Sequence, residues 1–331
     1  MCGDVDADGG RLPPMGIPVN VDNFARAETD RMFDGLQRDA GGVNVLSHNR
    51  APASVDHQTV IRMNRDTLYS FAVVDITAGA TVTIPEHDDR YVSVMIVNQD
   101  HYINEILHEP GQHRLDIDRH ETPYVAVAAR VLVDPGDPAD VAEATRLQDG
   151  LVLSADAAHP FDLPDYDTPS LDTTRKALLT LAAGLTAFDR TFGTRGDVDP
   201  VRHLLGTAAG WGGLPTSEAT YIGVEPGLPV GRYELRVGDV PVDAFWSISV
   251  YNADGYFEPN PSGVYSVNSV TGSRDSDGSI TVRFGDHGAD VPNTIPITEG
   301  WNYLVRLYRP RLEVLDGTWT FPTIDTAIDH A

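Results

Sequence analysis

Asn64, Asp66 and Tyr69, close together in the segment Arg62-Met-Asn-Arg-Asp-Thr-Leu-Tyr69, are the densest cluster of usable polar groups in the sequence. In an extended chain Asn64 and Asp66 project to one face and Tyr69 to the other. An amide, a carboxyl and a phenol beside an aromatic-lined cleft suit a small polar molecule, and a desolvated Asp66 is a candidate general base. The same residues also suit architecture. Asp and Asn at the mouth of a turn satisfy backbone amides, and Arg62 or Arg65 can pair with Asp66. His101, just after a strand-like run from Tyr91 to Asn98, is a second acid–base candidate. In the back half, Trp246, Tyr251, Tyr256 and Asn260 offer an aromatic wall with an amide, a common way to hold sugars or flat organic molecules. Neighbours on a strand face opposite ways, so half of Phe245-Trp-Ser-Ile-Ser-Val-Tyr251 must be core; the loop from Tyr256 to Asn260 is the functional part. Trp211, in the glycine-rich passage from Leu205 to Leu214, is placed to plug a seam between domains.

Other chemistries fit less well. His101-Tyr102-x-x-Glu105-x-x-His108-Glu109, extended by His113 and His120, invites a metal, but it lacks the His-x-His pair at strand spacing that would converge ligands from adjacent strands. No metal and no cofactor is assigned. The glycines from Gly206 to Gly213 have neither a following Lys-Ser/Thr nor a strand-Gly-x-Gly-x-x-Gly-helix context, which argues against a phosphate cradle. His203, just before them, suits a satisfied core or helix-end position. There is no Gly-x-Ser-x-Gly, and the sole cysteine, Cys2, stands in a leader.

Charge narrows the partners. The chain carries a net charge of -25; 37 of its 49 acidic residues are Asp, and Lys176 is its one lysine. Such a surface repels itself in dilute buffer and is relieved by salt, as expected of a halophile; a GC-rich genome would account for the missing lysine but not for the acid excess. Nucleic acid is excluded as a partner, because no basic stripe is present. No apolar run approaches the roughly 18 residues of a membrane helix. Cys2, followed by Gly3 and an acidic, glycine-bearing tract, matches the start of a mature lipoprotein as well as an ordinary cytoplasmic start. Asp4-x-Asp6-x-Asp8-Gly9 copies half of a calcium loop, but Met15 stands where the bidentate acid belongs, so a solvated tail is expected.

The elements that must position these groups are mostly strands. Apolar spacing predicts a helix from Asp22 or Asn23 to about Gln37, then strands at Val60–Asn64, Tyr69–Ile76, Thr81–Pro85, Tyr91–Asn98 and Tyr124–Val133, the last continuous enough to be central in a sheet. Pro138 opens a helix to Gln148. A Pro- and Asp-rich connector leads to a helix from Asp172 through Phe188, whose broad apolar face suits burial between two β layers. Strands follow at Arg232–Val237, Ala244–Tyr251, Ser279–Phe284 and Tyr303–Arg309, with Asp275-Ser-Asp-Gly278 as a hairpin turn.

Several of these segments are familiar together. Val21-Asp-Asn-Phe-Ala-Arg-Ala-Glu-Thr-Asp30, Arg62 to Tyr69 and Asp88-Asp-Arg-Tyr91 resemble the domain of unknown function 1254. Phe245 to Tyr251, Asp254-Gly-Tyr-Phe-Glu-Pro-Asn-Pro261, Asp277-Gly-Ser279, Leu307-Tyr-Arg-Pro310 and Asp316-Gly-Thr-Trp319 resemble the domain of unknown function 1214. The resemblance spans roughly residues 18–322. It implies a two-part, mainly β protein, often exported, and no particular reaction.

The expected architecture is mainly β with helices (α+β): two β-sandwich or jelly-roll-like units with a helical segment between them. A flexible leader covers 1–17, an N-terminal β-rich domain 18–150, a helical connector 151–215 and a C-terminal β-sandwich 216–331. Function is expected as binding of a small molecule, or acid–base chemistry on it, in a pocket between the units. Asp66 and His101 are the catalytic candidates; Asn64, Tyr69, Trp211, Tyr251, Tyr256 and Asn260 are the binding ones. The alternative is a non-catalytic envelope or lipoprotein-type protein, tethered through Cys2, whose aromatic loop binds glycan or a partner protein. A homo-oligomer is left open.

Overall fold

The computed structural model describes residues 16–58, 61–185, 187–288 and 290–324. Cys2 and the calcium-loop-like tract lie outside the described residues.

The chain opens with α1 (Phe24–Ala40), ended by Gly41 in the left-handed region at φ 86°. Asn23 occupies the N-cap but does not cap; its carboxamide oxygen accepts from Asn20 N–H instead. Next come β1 (Ser47–His48), β2 (Thr67–Asp75), β3 (Ala80–Ile84), β4 (Val92–Asn98), β5 (Ile103–Leu107) and β6 (Gly111–Leu115). After α2 (Ile117–His120) follow β7 (Tyr124–Leu132), α3 (Pro138–Gly150), β8 (Val152–Ala155), α4 (Thr168–Ala182) and α5 (Pro200–Gly210). The back half holds β9 (Ala219–Val224), β10 (Tyr233–Val237), β11 (Trp246–Tyr251), β12 (Ser266–Asn268), β13 (Ile280–Phe284), β14 (Thr294–Ile295), β15 (Asn302–Tyr308) and α6 (Leu312–Leu315).

These strands make two β-rich units, each of two open sheets facing one another. In the first, the sheet β1-β2-β7-β4-β5 packs one face on β6-β3-β8. Alternate residues such as Leu68, Val94 and Val127 meet Val82, Ile84 and Leu115 in a closed apolar core. β7 is central, as its nearly continuous apolar run suggests. β8 pairs with β3, so the first unit extends past the start of the anticipated connector at 151. In the second unit β12-β11-β15-β9 packs on β10-β13-β14 around Ile248, Val305, Val282 and Phe284.

Several expectations need correction. Residues 61–64 form a turn and an extended loop, not a strand. The middle helix α4 starts at Thr168, capped by Asp167, and ends at Ala182; Leu181 is exposed, and the helix packs on α5 and α1 instead of between two β layers. The glycine-rich passage begins as helix: Asp199 caps α5, whose Gly206 lies against Thr191 and Phe192 where a Cβ would not fit. The Asp275–Gly278 turn is present, but it does not join paired strands, because β12 pairs with β11 and β13 with β10.

Each large sheet keeps a second face, and the two second faces meet. Period-two alternation puts Phe71, Met95, Ala128 and Leu132 on this side of the first sheet, and Phe245 and Tyr308 on this side of the second. The site lies in that layer.

Candidate functional site

Register places a polar row across each meeting face. In the first sheet Tyr69 stands opposite Arg130, and Arg130 opposite Ser93. In the second, Ser247 stands opposite Arg306, and Arg306 opposite Tyr221. Members of both rows, with Asn64 and Tyr308, border a cavity of about 430 Å3 between the units. Its remaining walls are largely apolar, from Met32 and Leu36 of α1, Phe71, Met95, Ala128 and Leu214.

Asn64 ties the rows together. Its carboxamide oxygen accepts from the Asp66 backbone N–H at 2.8 Å, which fixes the rotamer. Its amino group then donates to the Tyr308 phenol at 2.9 Å and the Tyr69 phenol at 3.3 Å. Both phenol oxygens thus act as acceptors, and their O–H protons stay free to donate.

Arg306 is the structural cation. It is 2% exposed, and donates to Ser249 Oγ at 2.8 Å, Tyr251 Oη at 2.7 Å and the carbonyls of Arg62 and Met63. Burial opposes its charge, but Tyr251, Tyr308 and Asp66 overcome this and hold the guanidinium above its usual range. Arg130 is different. It is 7% exposed, one nitrogen donates to the Gly212 carbonyl at 3.1 Å, and its ring-face contact is Tyr69 at 5.4 Å. Its Nη1 has no hydrogen-bond partner, and no carboxylate pairs with it among the described residues. Burial pushes the Tyr69 phenol up; Arg130, with hydrogen bonds from Thr67 and Asn64, more than reverses this and leaves it below the ordinary phenol range.

The residues singled out from sequence separate into groups. Asn64, Tyr69 and Trp211 border the cavity together. Trp211 donates its indole N–H to Thr29 Oγ1 at 3.1 Å and stacks on His101 at 5.5 Å between centroids. Asp66 is fully buried beside the cavity and does not line it. Neither Arg62 nor Arg65 pairs with it: Arg62 reaches Glu225, and Arg65 reaches the Ala53 carbonyl and the Tyr265 ring. Its partner is the Ser247 hydroxyl at 2.6 Å. Burial raises its carboxyl above the usual range, against the opposing pull of Arg306, Ser247, Ser266 and Arg65.

His101 is also fully buried and outside the cavity wall. Its Nε2 accepts from Gly212 N–H at 2.9 Å, and its Nδ1 donates to Thr207 Oγ1 at 2.8 Å, because that hydroxyl already donates to the His203 carbonyl. Burial, with His203 nearby, holds the imidazole well below its usual pKa and therefore neutral. Both ring nitrogens are committed, so the residue positions Gly212, whose φ of 75° and carbonyl bond to Arg130 shape the cavity rim. Tyr251 lies behind Arg306 and, with Asn260, borders a separate pocket of about 40 Å3. Tyr256 borders neither, and Asn260 spends its amide on the Val264 carbonyl within its own turn. The four histidines of the metal-like run disperse: His108 meets Glu218, His113 the Glu109 carbonyl, and His120 is buried without a ring hydrogen bond.

A model of the family described as protein of unknown function DUF1254 matches residues 43–116, and one described as protein of unknown function DUF1214 matches residues 229–312. The chain thus carries a DUF1254 segment followed by a DUF1214 segment, the pairing that its sequence resembles. The matched segments are shorter than the span over which its sequence resembles that pair. Asn64 and Tyr69 lie in the DUF1254 segment, Arg306 and Tyr308 in the DUF1214 segment, and Arg130, Trp211 and Tyr221 in neither. The fold is similar to that of the VPA0106 protein from Vibrio parahaemolyticus, with a TM-score of 0.69 and 18% identity over 93% of this chain and 99% of that one. An uncharacterised protein from Burkholderia cenocepacia is also similar, with a TM-score of 0.51 and 13% identity over 92% of this chain and 86% of the other. At these identities the likeness is one of fold. No curated protein matches the sequence.

Sequence reasoning missed Arg130, Tyr221, Arg306 and Tyr308. A signal was present for the arginines: each is a lone charge inside an otherwise apolar strand, Tyr124–Leu132 or Asn302–Tyr308.

Proposed function

We propose that the chain binds a small organic molecule in the cavity between its two β-rich units. The supporting observation is the convergence of Asn64, Tyr69, Arg130 and Tyr308 on a largely apolar space of about 430 Å3, which Arg62, Tyr221 and Arg306 also border; its volume is within the usual size of small-molecule sites. Asp66 and His101 take supporting parts in this reading. Asp66 balances the Arg306 charge, and His101 fixes the rim; neither reaches the space a substrate would fill. The test is saturation-transfer NMR with a mixture of small aromatic and branched aliphatic compounds, neutral and anionic. Ala128→Leu adds bulk to the cavity wall and should weaken binding at least tenfold, while moving the melting temperature by only a few degrees. Compounds bound equally by wild type and variant, or none bound at all, would sink the reading.

The charge supports a separate proposal, that the protein works in molar salt. At about 1 M salt the screening length falls to roughly 3 Å, and repulsion among surface carboxylates largely disappears. The melting temperature should rise on the order of 10 °C between 0.1 and 3 M KCl. An unchanged value would overturn this proposal.

A further inference from the structure

We infer that the ligand is a monocarboxylate with a compact apolar body, its carboxylate held by Arg130, Tyr69 and Tyr308. This rests on the cavity being a binding site. The donors at its polar end outnumber the acceptors. The Tyr69 and Tyr308 oxygens are occupied as acceptors by the one Asn64 amide, so each phenol retains a proton to give. Arg130 retains Nη1. Arg306 has the buried Asp66 carboxyl near it, and that carboxyl is engaged with Ser247, whereas no carboxylate pairs with the buried Arg130 among the described residues. A chain with an excess of 25 negative charges has therefore kept a cationic spot inside. A buried charge without a partner is costly, and the group missing from this one is an anion.

The geometry also limits which anion. One free guanidinium nitrogen and two hydroxyls match the two oxygens of a carboxylate, whereas a phosphate dianion would leave acceptors unpaired. Most of the remaining wall, Met32, Leu36, Phe71, Met95 and Leu214, offers dispersion contacts only, with Arg62, Tyr221 and Arg306 as the other polar groups on it.

The test is calorimetry on the full chain in high salt with phenylacetate, 4-methylpentanoate and cyclohexanecarboxylate, each against its own amide. At least one acid should bind about 30-fold or more tightly than its amide, and Arg130→Met should remove that preference. Should Arg130→Met fail to fold, a carboxyl-13C label decides in wild type: the bound acid should titrate below its free value. Acids no better than amides, or a bound carboxyl titrating at or above its free value, overturn the inference. If neutral fragments bind while no carboxylate is preferred, only the inference fails. If neither class binds, the reading of the cavity as a site fails with it.

Discussion

Arg306→Met is expected to lower the free energy of unfolding by about 3–5 kcal/mol, among the larger effects available to a single substitution. The side chain satisfies Ser249, Tyr251 and two carbonyls of the 62–63 turn from inside the layer between the sheets. Removing it strands those acceptors and takes from the buried Asp66 carboxyl its larger cationic neighbour, leaving only the weaker pull of Arg65. Asp66→Ala should be destabilising by a similar amount, because Arg306 then becomes the uncompensated charge. The double variant decides the point. If the two groups act as one electrostatic unit, the combined loss falls short of the sum by at least about 1 kcal/mol in urea titrations. Strict additivity would show that Arg306 serves only as a backbone clamp.

The second large effect is acid sensitivity set by buried histidines. His120 is fully buried with neither ring nitrogen hydrogen-bonded, and burial pulls its pKa down to about 4. His101 is also held well below the ordinary histidine range by burial. A histidine whose folded pKa lies below its unfolded value contributes stability that is fully present above the unfolded value, near 6.5, and is lost as pH falls toward the folded one. Each such group gives a slope of about 1.4 kcal/mol per pH unit across that window. His120 alone should therefore contribute a loss of about 3 kcal/mol between pH 6.5 and 4. The raised carboxyls of Asp30 and Asp66 act in the opposite sense and soften the fall. His120→Phe removes a titrating group without breaking a hydrogen bond, so its stability should match wild type at pH 8 and exceed it at pH 4.5. Parallel pH profiles for the two proteins would contradict the assignment.

Much of the fold was legible because period and composition act locally. The runs Tyr69–Ile76, Tyr91–Asn98 and Tyr124–Val133 became β2, β4 and β7 within a residue or two, and Pro138 opened α3 behind its Asp137 cap. Edge strands such as β5, β6 and β9 were not visible, since their sequences do not alternate cleanly between apolar and polar residues. At the site, Asn64, Tyr69 and Trp211 stood out by residue type. Their chemistry, however, depends on which groups register brings opposite them. Arg130 faces Tyr69 only because β2 pairs with β7, and Arg306 meets the 62–63 turn only because the second sheet docks there. Asp66 drew attention for a feature, an acid at a strand entry, that the fold uses as a buried partner for Ser247.

The polar row on each meeting face has a consequence for how such chains can be divided. Tyr69 and Arg130 sit on one sheet, Arg306 and Tyr308 on the other, and Asn64 bonds across the gap. Either unit expressed alone would turn a guanidinium-bearing stripe, flanked by Phe71 and Met95 or by Phe245, toward water. Such a half would be sticky and empty-handed at once. If the cavity is a binding site as proposed, neither segment carries it alone, and the unit that does is the pair together with the intervening stretch that supplies Arg130.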